Sequence, residues 1–291
     1  MFITIGCLYK LNIILLFVTL TFCHRVVADT TTADDQAMIQ NSSKTQVVTE
    51  QLIKAIKEQW SYYELSRFDL HSQIKSIRQL ELTADREYLV HEIQKTIALG
   101  IDGHASVIGY RPPENRGCLP FLIESVGDRY IALNAHRQGF LEDRFPYIKS
   151  IDGKSINQWC DMILVVVPKG SLQYQKRNSL RYLRYYDFWR REAQLKHRKT
   201  VNVVVETENK SEQRTLVLPM LPRIPKYGIW PRKESGFIAD NLGYLRLSKM
   251  NSDANREINY WLAKFKKTVG LIIDVRGNGG GSRLPLLNLY S

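Results

Sequence analysis

An apolar run, Leu271-Ile272-Ile273-Asp274-Val275, empties into Arg276-Gly277-Asn278-Gly279-Gly280-Gly281-Ser282, and Leu284–Tyr290 then has helical character. Glycines at such a place leave backbone N–H groups bare and let an anion or another backbone come close. Dinucleotide binding would need G-x-G-x-x-G with an acidic residue about twenty positions on. Gly277, Gly279 and Gly280 do not keep that spacing. A phosphate-binding loop of the G-K-[ST] type is excluded, because no lysine follows the glycines. What remains is an oxyanion hole, with N–H donors facing a carbonyl oxygen that becomes negative during acyl transfer. A plain structural turn competes with it, and spacing does not choose between the two.

Other reactive side chains are sparse. No C-x-x-C or H-E-x-x-H spacing occurs, so neither a metal nor another cofactor is expected. Cys7 and Cys23 lie in the leader, while Cys118 and Cys160 are either a bridge or two buried thiols. The net charge of +12 raises nucleic acid, anionic membranes and acidic substrates as partners. Its densest stretch, Lys176–Lys199, interleaves cations with Tyr182, Tyr185, Tyr186, Phe188 and Trp189. That pattern reads as an amphipathic helix, Ser179–Lys196, with buried aromatics and solvated arginines. A nucleic-acid binder is the rival reading, and its affinity would fall steeply with salt.

Around these groups the chain divides into segments. Lys10, the short apolar run Ile13–Phe22 and the small residues Val26 and Ala28 form a signal peptide, residues 1–28, cleaved after Ala28. A polar lead-in, 29–46, is expected to be disordered. Leu52, Ile53, Ile56 and Trp60, then Leu89, Ile93 and Ile97 ending at Gly100, make two helical stripes in an N-terminal module, 47–116. Strands Phe121–Val126 and Tyr130–Asn134 flank Gly127-Asp128, Pro146–Ile151 runs into an Asp152-Gly153 turn, and Ile156–Ile163 is helical. These suggest a PDZ-like module, 117–200, or another small α+β insert. Val201–Glu206 and Arg214–Leu218 form a hairpin, and Pro-rich Leu221–Pro231 a linker or extended connection. Leu242–Leu247, Ala254–Lys267 and Val269–Val275 then read as strand, helix and a strand covered on both faces, a βαβ unit.

The end of this unit, I-I-D-V-R-G-N-G-G-G, resembles the glycine loop of the tail-specific, or C-terminal processing, serine peptidases and of their tricorn-type branch. Gly243-Tyr244-Leu245-Arg246-Leu247 is similar to the same family's first core strand. Leu99-Gly100-Ile101-Asp102-Gly103-His104-Ala105-Ser106-Val107 resembles its D-G-H-[TA]-S-V element. The resemblance covers roughly residues 47–291, and only the N-terminal portion of the family's chain. It implies nucleophilic attack by a serine through an acyl-enzyme. It places His104 as candidate general base and the backbone amides of Gly279 and Gly280 as half of an oxyanion hole. Asp274 and Arg276 would hold the loop. His71, His91, His136 and His197 have no comparable setting. The competing reading of His104 is a turn residue whose ring bonds to nearby backbone.

The resemblance leaves one gap. Ser282 directly follows the loop and Ser291 is terminal, so no serine here takes the nucleophile's place. The expectation is therefore an α+β multidomain protein: a helical module, a PDZ-like module and, over 201–291, the start of an α/β peptidase core truncated before its nucleophile. It would be exported, periplasmic or secreted, without stable membrane insertion after signal cleavage. Its partner would be a polypeptide substrate or protein C-terminus, not nucleic acid, and alone it would be inactive. The alternative is a non-catalytic peptide-binding protein on the same scaffold.

Overall fold

The computed structural model describes residues 49–66, 69–81, 86–228, 233–238 and 241–290. The expected signal peptide and lead-in lie outside these residues. The chain forms two compact units, Met1–Ile229 and Trp230–Ser291. Among the described residues no helix is long and apolar enough to cross a membrane.

The first unit opens with helix α1 (49–59), a short α2 (Tyr63–Ser66), α3 (Leu70–Glu81) and α4 (Arg86–Ala98). Ile56, Trp60, Leu70, Ile74 and Ile97 meet in one apolar cluster. Helix α3 is absent from the sequence reading, although Leu70, Ile74 and Ile77 stand at helical spacing and are buried. Gly100 ends the module for a packing reason: a Cβ there would come within 1.9 Å of the Trp60 ring.

Five antiparallel strands follow in chain order: β1 (Leu122–Val126), β2 (Arg129–Leu133), β3 (Tyr147–Ile151), β4 (Thr200–Glu206) and β5 (Gln213–Pro219). Between β3 and β4 the chain inserts α5 (Ile156–Ile163), α6 (Leu172–Leu183) and α7 (Tyr186–Glu192). Their Trp159, Ile163, Leu183, Tyr186 and Trp189 pack with Ile151, Val201, Val203 and Val205 of the sheet. The alternating valines of β4 are the expected signature of a strand with one buried face.

Three expectations are corrected in this unit. The boundary at 200/201 cuts through the sheet, because β4 pairs with β3 from Tyr147↔Glu206 to Ile151↔Val203. The hairpin therefore belongs with 122–151 rather than with the later core. The single helix over 179–196 is two helices that break at Arg184–Tyr185. Its arginines are not all solvated either. Arg190 is 1% exposed, held by the Asp152 carboxylate and by the carbonyls of Arg198 and Thr200. That pair also secures the Asp152-Gly153 turn, where Asp152 sits at φ 44° and Gly153 at φ 83°. A side chain in the left-handed region is tolerated here because its carboxylate also accepts from Asn202 N and Tyr186 OH. Of the two readings for the proline-rich segment, residues 221–228 form the extended connection, since Leu221 and Cys118 exchange backbone hydrogen bonds and Gly228 N donates to Ala135 O.

In the second unit β6 (Gly236–Ile238) pairs antiparallel with β7 (Leu242–Arg246), and β7 pairs parallel with β8 (Gly270–Asp274). Helix α8 (Ser252–Phe265) connects β7 to β8, so the βαβ unit forms as the periodicity implied. Its Ile258 and Phe265 pack with Leu245 and Leu247. Gly243 is required beneath α8, because a Cβ would stand 2.8 Å from the Phe265 ring. Helix α9 (Leu284–Tyr290) closes the described chain. One expectation fails: β8 is not covered on both faces, and Leu271, Ile272 and Ile273 are exposed. Among the described residues, β8 has β7 on one edge and no strand on the other.

Candidate active site

The candidate residues divide between the two units. Gly279 and Gly280 belong to the second, and their position is set by Asp274 at the end of β8. This carboxylate is 6% exposed. Its Oδ1 accepts from Arg276 N at 2.9 Å and Nε at 2.9 Å and lies 2.6 Å from Arg246 Nη1. Its Oδ2 accepts from Tyr244 OH at 2.5 Å and Arg276 Nη2 at 2.8 Å. The hydrogen bonds from Arg276, followed by that from Tyr244 and the nearby charge of Arg246, hold the carboxyl well below the usual carboxylate range. The same bond pushes the Tyr244 phenol up. A carboxylate so occupied is a structural anion and no proton carrier.

Beyond it the loop is pinned residue by residue. Arg246 Nη2 donates to Arg276 O. Asn278 N returns to Val275 O at 2.9 Å, and its side chain donates to Leu247 O at 2.9 Å. Gly280 and Gly281 take φ of 88° and 138°, conformations that favour glycine. Gly281 also runs against the chain at Met250, whose carbonyl oxygen would lie 2.1 Å from a Cβ. Met250 N donates to Gly280 O at 3.1 Å and Ser282 N to Met250 O at 2.7 Å. The two candidate donors fare differently. Gly280 N–H is used within the loop, donating to Asn278 Oδ1 at 2.7 Å. Gly279 N–H is exposed and has no acceptor among the described residues. The N–H groups of Gly277 and Gly281 likewise have no acceptor among the described residues, so Gly279 is one of three open amides in the loop.

His104 belongs to the first unit, in the turn that follows α4. Asp102, 4% exposed, accepts the His104 backbone N–H at 2.9 Å and the Trp60 indole N–H at 3.2 Å. Its Oδ1 lies 3.5 Å from His104 Nδ1, and the imidazole itself is 69% exposed. A carboxylate beside Nδ1 leaves Nε2 free to face a reacting group. The ring is thus an exposed imidazole beside a buried carboxylate rather than a core histidine.

Two histidines dismissed at the sequence level have defined partners. His91 is buried against Tyr110 and Phe188, with Nδ1 2.6 Å from Tyr110 OH. Burial pushes it down to about 4. His197 Nδ1 lies 2.8 Å from Oδ1 of the fully buried Asp187. Neither arrangement has a local signal, since Tyr110 and Asp187 are brought up by the fold. Cys118 and Cys160 are free, buried thiols. Burial pushes the Cys160 thiol up to about 12 and raises Cys118 as well, so neither is a ready nucleophile. Among the described residues no three His, Cys, Asp or Glu side chains gather to hold a metal ion.

Compared with known proteins, residues 241–291 match the model of peptidase family S41. Mature CPAF complexed with lactacystin has a similar fold, with a TM-score of 0.58 at 17% identity, over 88% of this chain and 59% of that one. Mature CPAF gives 0.56 at 14%, over 87% and 58%. A CPAF mutant gives 0.53 at 15%, over 85% and 58%. The chain thus spans under two thirds of the length of the solved structures it matches. A search of curated sequences returns no match.

Proposed function

We propose that this chain, whose residues 241–291 match peptidase family S41, supplies the general base and the oxyanion loop of an exported serine-type endopeptidase. The observation that carries this reading is the open Gly279 amide, in a glycine loop held by Asp274, Asn278 and Met250. In the proposed reaction a serine hydroxyl attacks a peptide carbonyl and a general base, the role the resemblance implies for His104, accepts its proton. The carbonyl oxygen gains negative charge and accepts from Gly279 N–H. His104 then returns the proton to the leaving amine, and the acyl-enzyme is hydrolysed by water. Asp102 orients His104, and Asp274 with Arg246 and Arg276 keeps the glycine loop in shape.

The leader at 1–28 supports export to a periplasm or to the exterior. The five-stranded sheet offers β1 and β5 as open edges, which supports a polypeptide partner added as a further strand in a PDZ-like manner. Hydrolysis of an unstructured polypeptide by the product of the complete reading frame tests the proposal. His104→Ala should lower kcat by about 10²–10⁴-fold; activity within twofold of the parent removes His104 as the base.

A second reading, a non-catalytic peptide-binding protein, is favoured by one observation. The Gly280 amide is spent on Asn278, so only half of a two-donor hole stands open. Saturable peptide binding without turnover by the complete product would select it.

A further inference from the structure

We propose that the first unit carries a binding pocket for a carboxylate on an apolar body, formed by segments 111–118 and 222–224 together with Tyr185. The inference is independent of the peptidase reading. The cavity has a volume of about 610 Å³ and is lined by Arg111, Arg223, Tyr185, Glu87, Glu114 and the floor residue Cys118, among others. Its two lining segments are joined by reciprocal backbone bonds, Cys118 N to Leu221 O at 2.7 Å and Leu221 N to Cys118 O at 2.9 Å. The walls are therefore set by the fold before any ligand arrives.

The charges at the rim are unevenly committed. Glu87 Oε2 accepts Glu114 N–H at 2.9 Å, and Glu114 Oε2 pairs with Arg191 at 3.1 Å. Arg191 also donates to Glu114 O and Pro113 O. These anchors keep Glu114 at φ 47°, a conformation a bulky side chain holds only when its surroundings impose it. Both rim acids thus have work within the protein. Arg111 and Arg223, in contrast, are exposed and have no hydrogen-bond or ion-pair partner among the described residues. Two unspent guanidinia over a cavity form a fork suited to oxyanions.

The ligand's class follows from the rest of the lining. Pro112, Pro222 and Ile224 contribute apolar wall, which a bare inorganic anion would leave wet. Burial raises the Tyr185 phenol, so its hydroxyl stays a neutral donor at physiological pH. The combination fits a single carboxylate attached to apolar substance, whether at a chain end or on an acidic side chain.

The test is calorimetric titration of the full chain with acetyl-leucine, with acetyl-glutamate α-amide, with the uncharged acetyl-leucine amide and with inorganic phosphate. The expected result is saturable binding of one or both carboxylates in the millimolar range or tighter, with none by the amide. Which carboxylate binds more tightly identifies its source. Arg111→Ala with Arg223→Ala should weaken binding at least tenfold while leaving the unfolding temperature unchanged, because both side chains are exposed and unpaired. Glu87→Gln keeps an acceptor for Glu114 N–H but removes a charge, and should tighten binding. No saturable binding of either carboxylate, equal or tighter binding of phosphate, or parental affinity in the double variant would each overturn the proposal.

Discussion

Two turns in this chain, one in each unit, are built on the same local device. Asp102 and Asp274 are both buried, and each accepts through Oδ1 the backbone N–H two residues on, His104 or Arg276, at 2.9 Å. Each then uses Oδ2 to hold an aromatic donor, the Trp60 indole or the Tyr244 phenol. The difference lies in what else reaches the carboxylate. Two guanidinia close on Asp274, so its charge is neutralised on the spot and the turn becomes rigid scaffold. Asp102 has no guanidinium beside it, only an exposed imidazole 3.5 Å away, so its turn leaves a ring at the surface. One motif thus fixes the backbone of a glycine loop, while the other displays an imidazole.

Breaking the charged turn should have the larger effect. Asp274→Asn leaves the largely buried Arg246 without its carboxylate, and an uncompensated buried charge is costly. The second unit should unfold roughly 10 °C lower in a calorimetric scan. Because the folded carboxyl is held below its ordinary value of 3.8, the unfolded state takes up the proton first as pH falls. The contribution is therefore complete above that value and fades below it. The gap between variant and parent should be full at pH 7 and shrink toward pH 2. A constant gap would mean that packing, not the ion cluster, accounts for the loss.

The equivalent change in the other turn should cost less. Asp102→Asn keeps an acceptor for His104 N–H but sets an amide against the Trp60 indole, and no guanidinium is orphaned. A fall of about 5 °C in the first unit is expected. If the complete product is a peptidase, its kcat should drop while KM holds. A loss as large as that of Asp274→Asn would erase the distinction between the two turns.

The smallest effect is expected at His91, a histidine placed by packing alone. Its folded value is lowered to about 4 from 6.5, chiefly by burial. The unfolded state therefore binds the proton first below 6.5, and stability present above that value is lost as pH falls toward 4. Glu92 and Lys95 act on the ring from its own helix, and Tyr110 faces it from the following loop. His91→Gln, which retains a partner for Tyr110 OH, should flatten the decline in urea midpoint between pH 7 and pH 4 by a modest amount. An unchanged decline would assign it to other groups.

These three side chains also mark how far the sequence can be read. The apolar run ahead of Asp274 and the glycines after it are local patterns, and they form the strand and the loop that follows it. Arg190 shows the opposite case. Its surroundings in sequence are basic and aromatic, so solvation was the natural inference. Its partner, Asp152, lies in a turn 38 residues away and meets it only after β3 and α7 pack together. The break at Arg184–Tyr185 and the membership of β4 in the sheet escape local reading for the same reason.

From the sequence alone follow the strand–helix–strand order of the second unit, the Asp-Gly turn, the strand over Val201–Glu206 and the apolar strand that runs into the glycines. All depend on residues within a few positions of one another, where backbone geometry and side-chain period act directly. Only the tertiary structure decided that Arg190 is buried on Asp152 and that Arg111 and Arg223 stand over a cavity without partners. Those outcomes turn on which polar group finds a mate across a long stretch of chain. Pairing of that kind is a property of the assembled fold, since a hydrogen bond satisfied by one neighbour is withdrawn from every other.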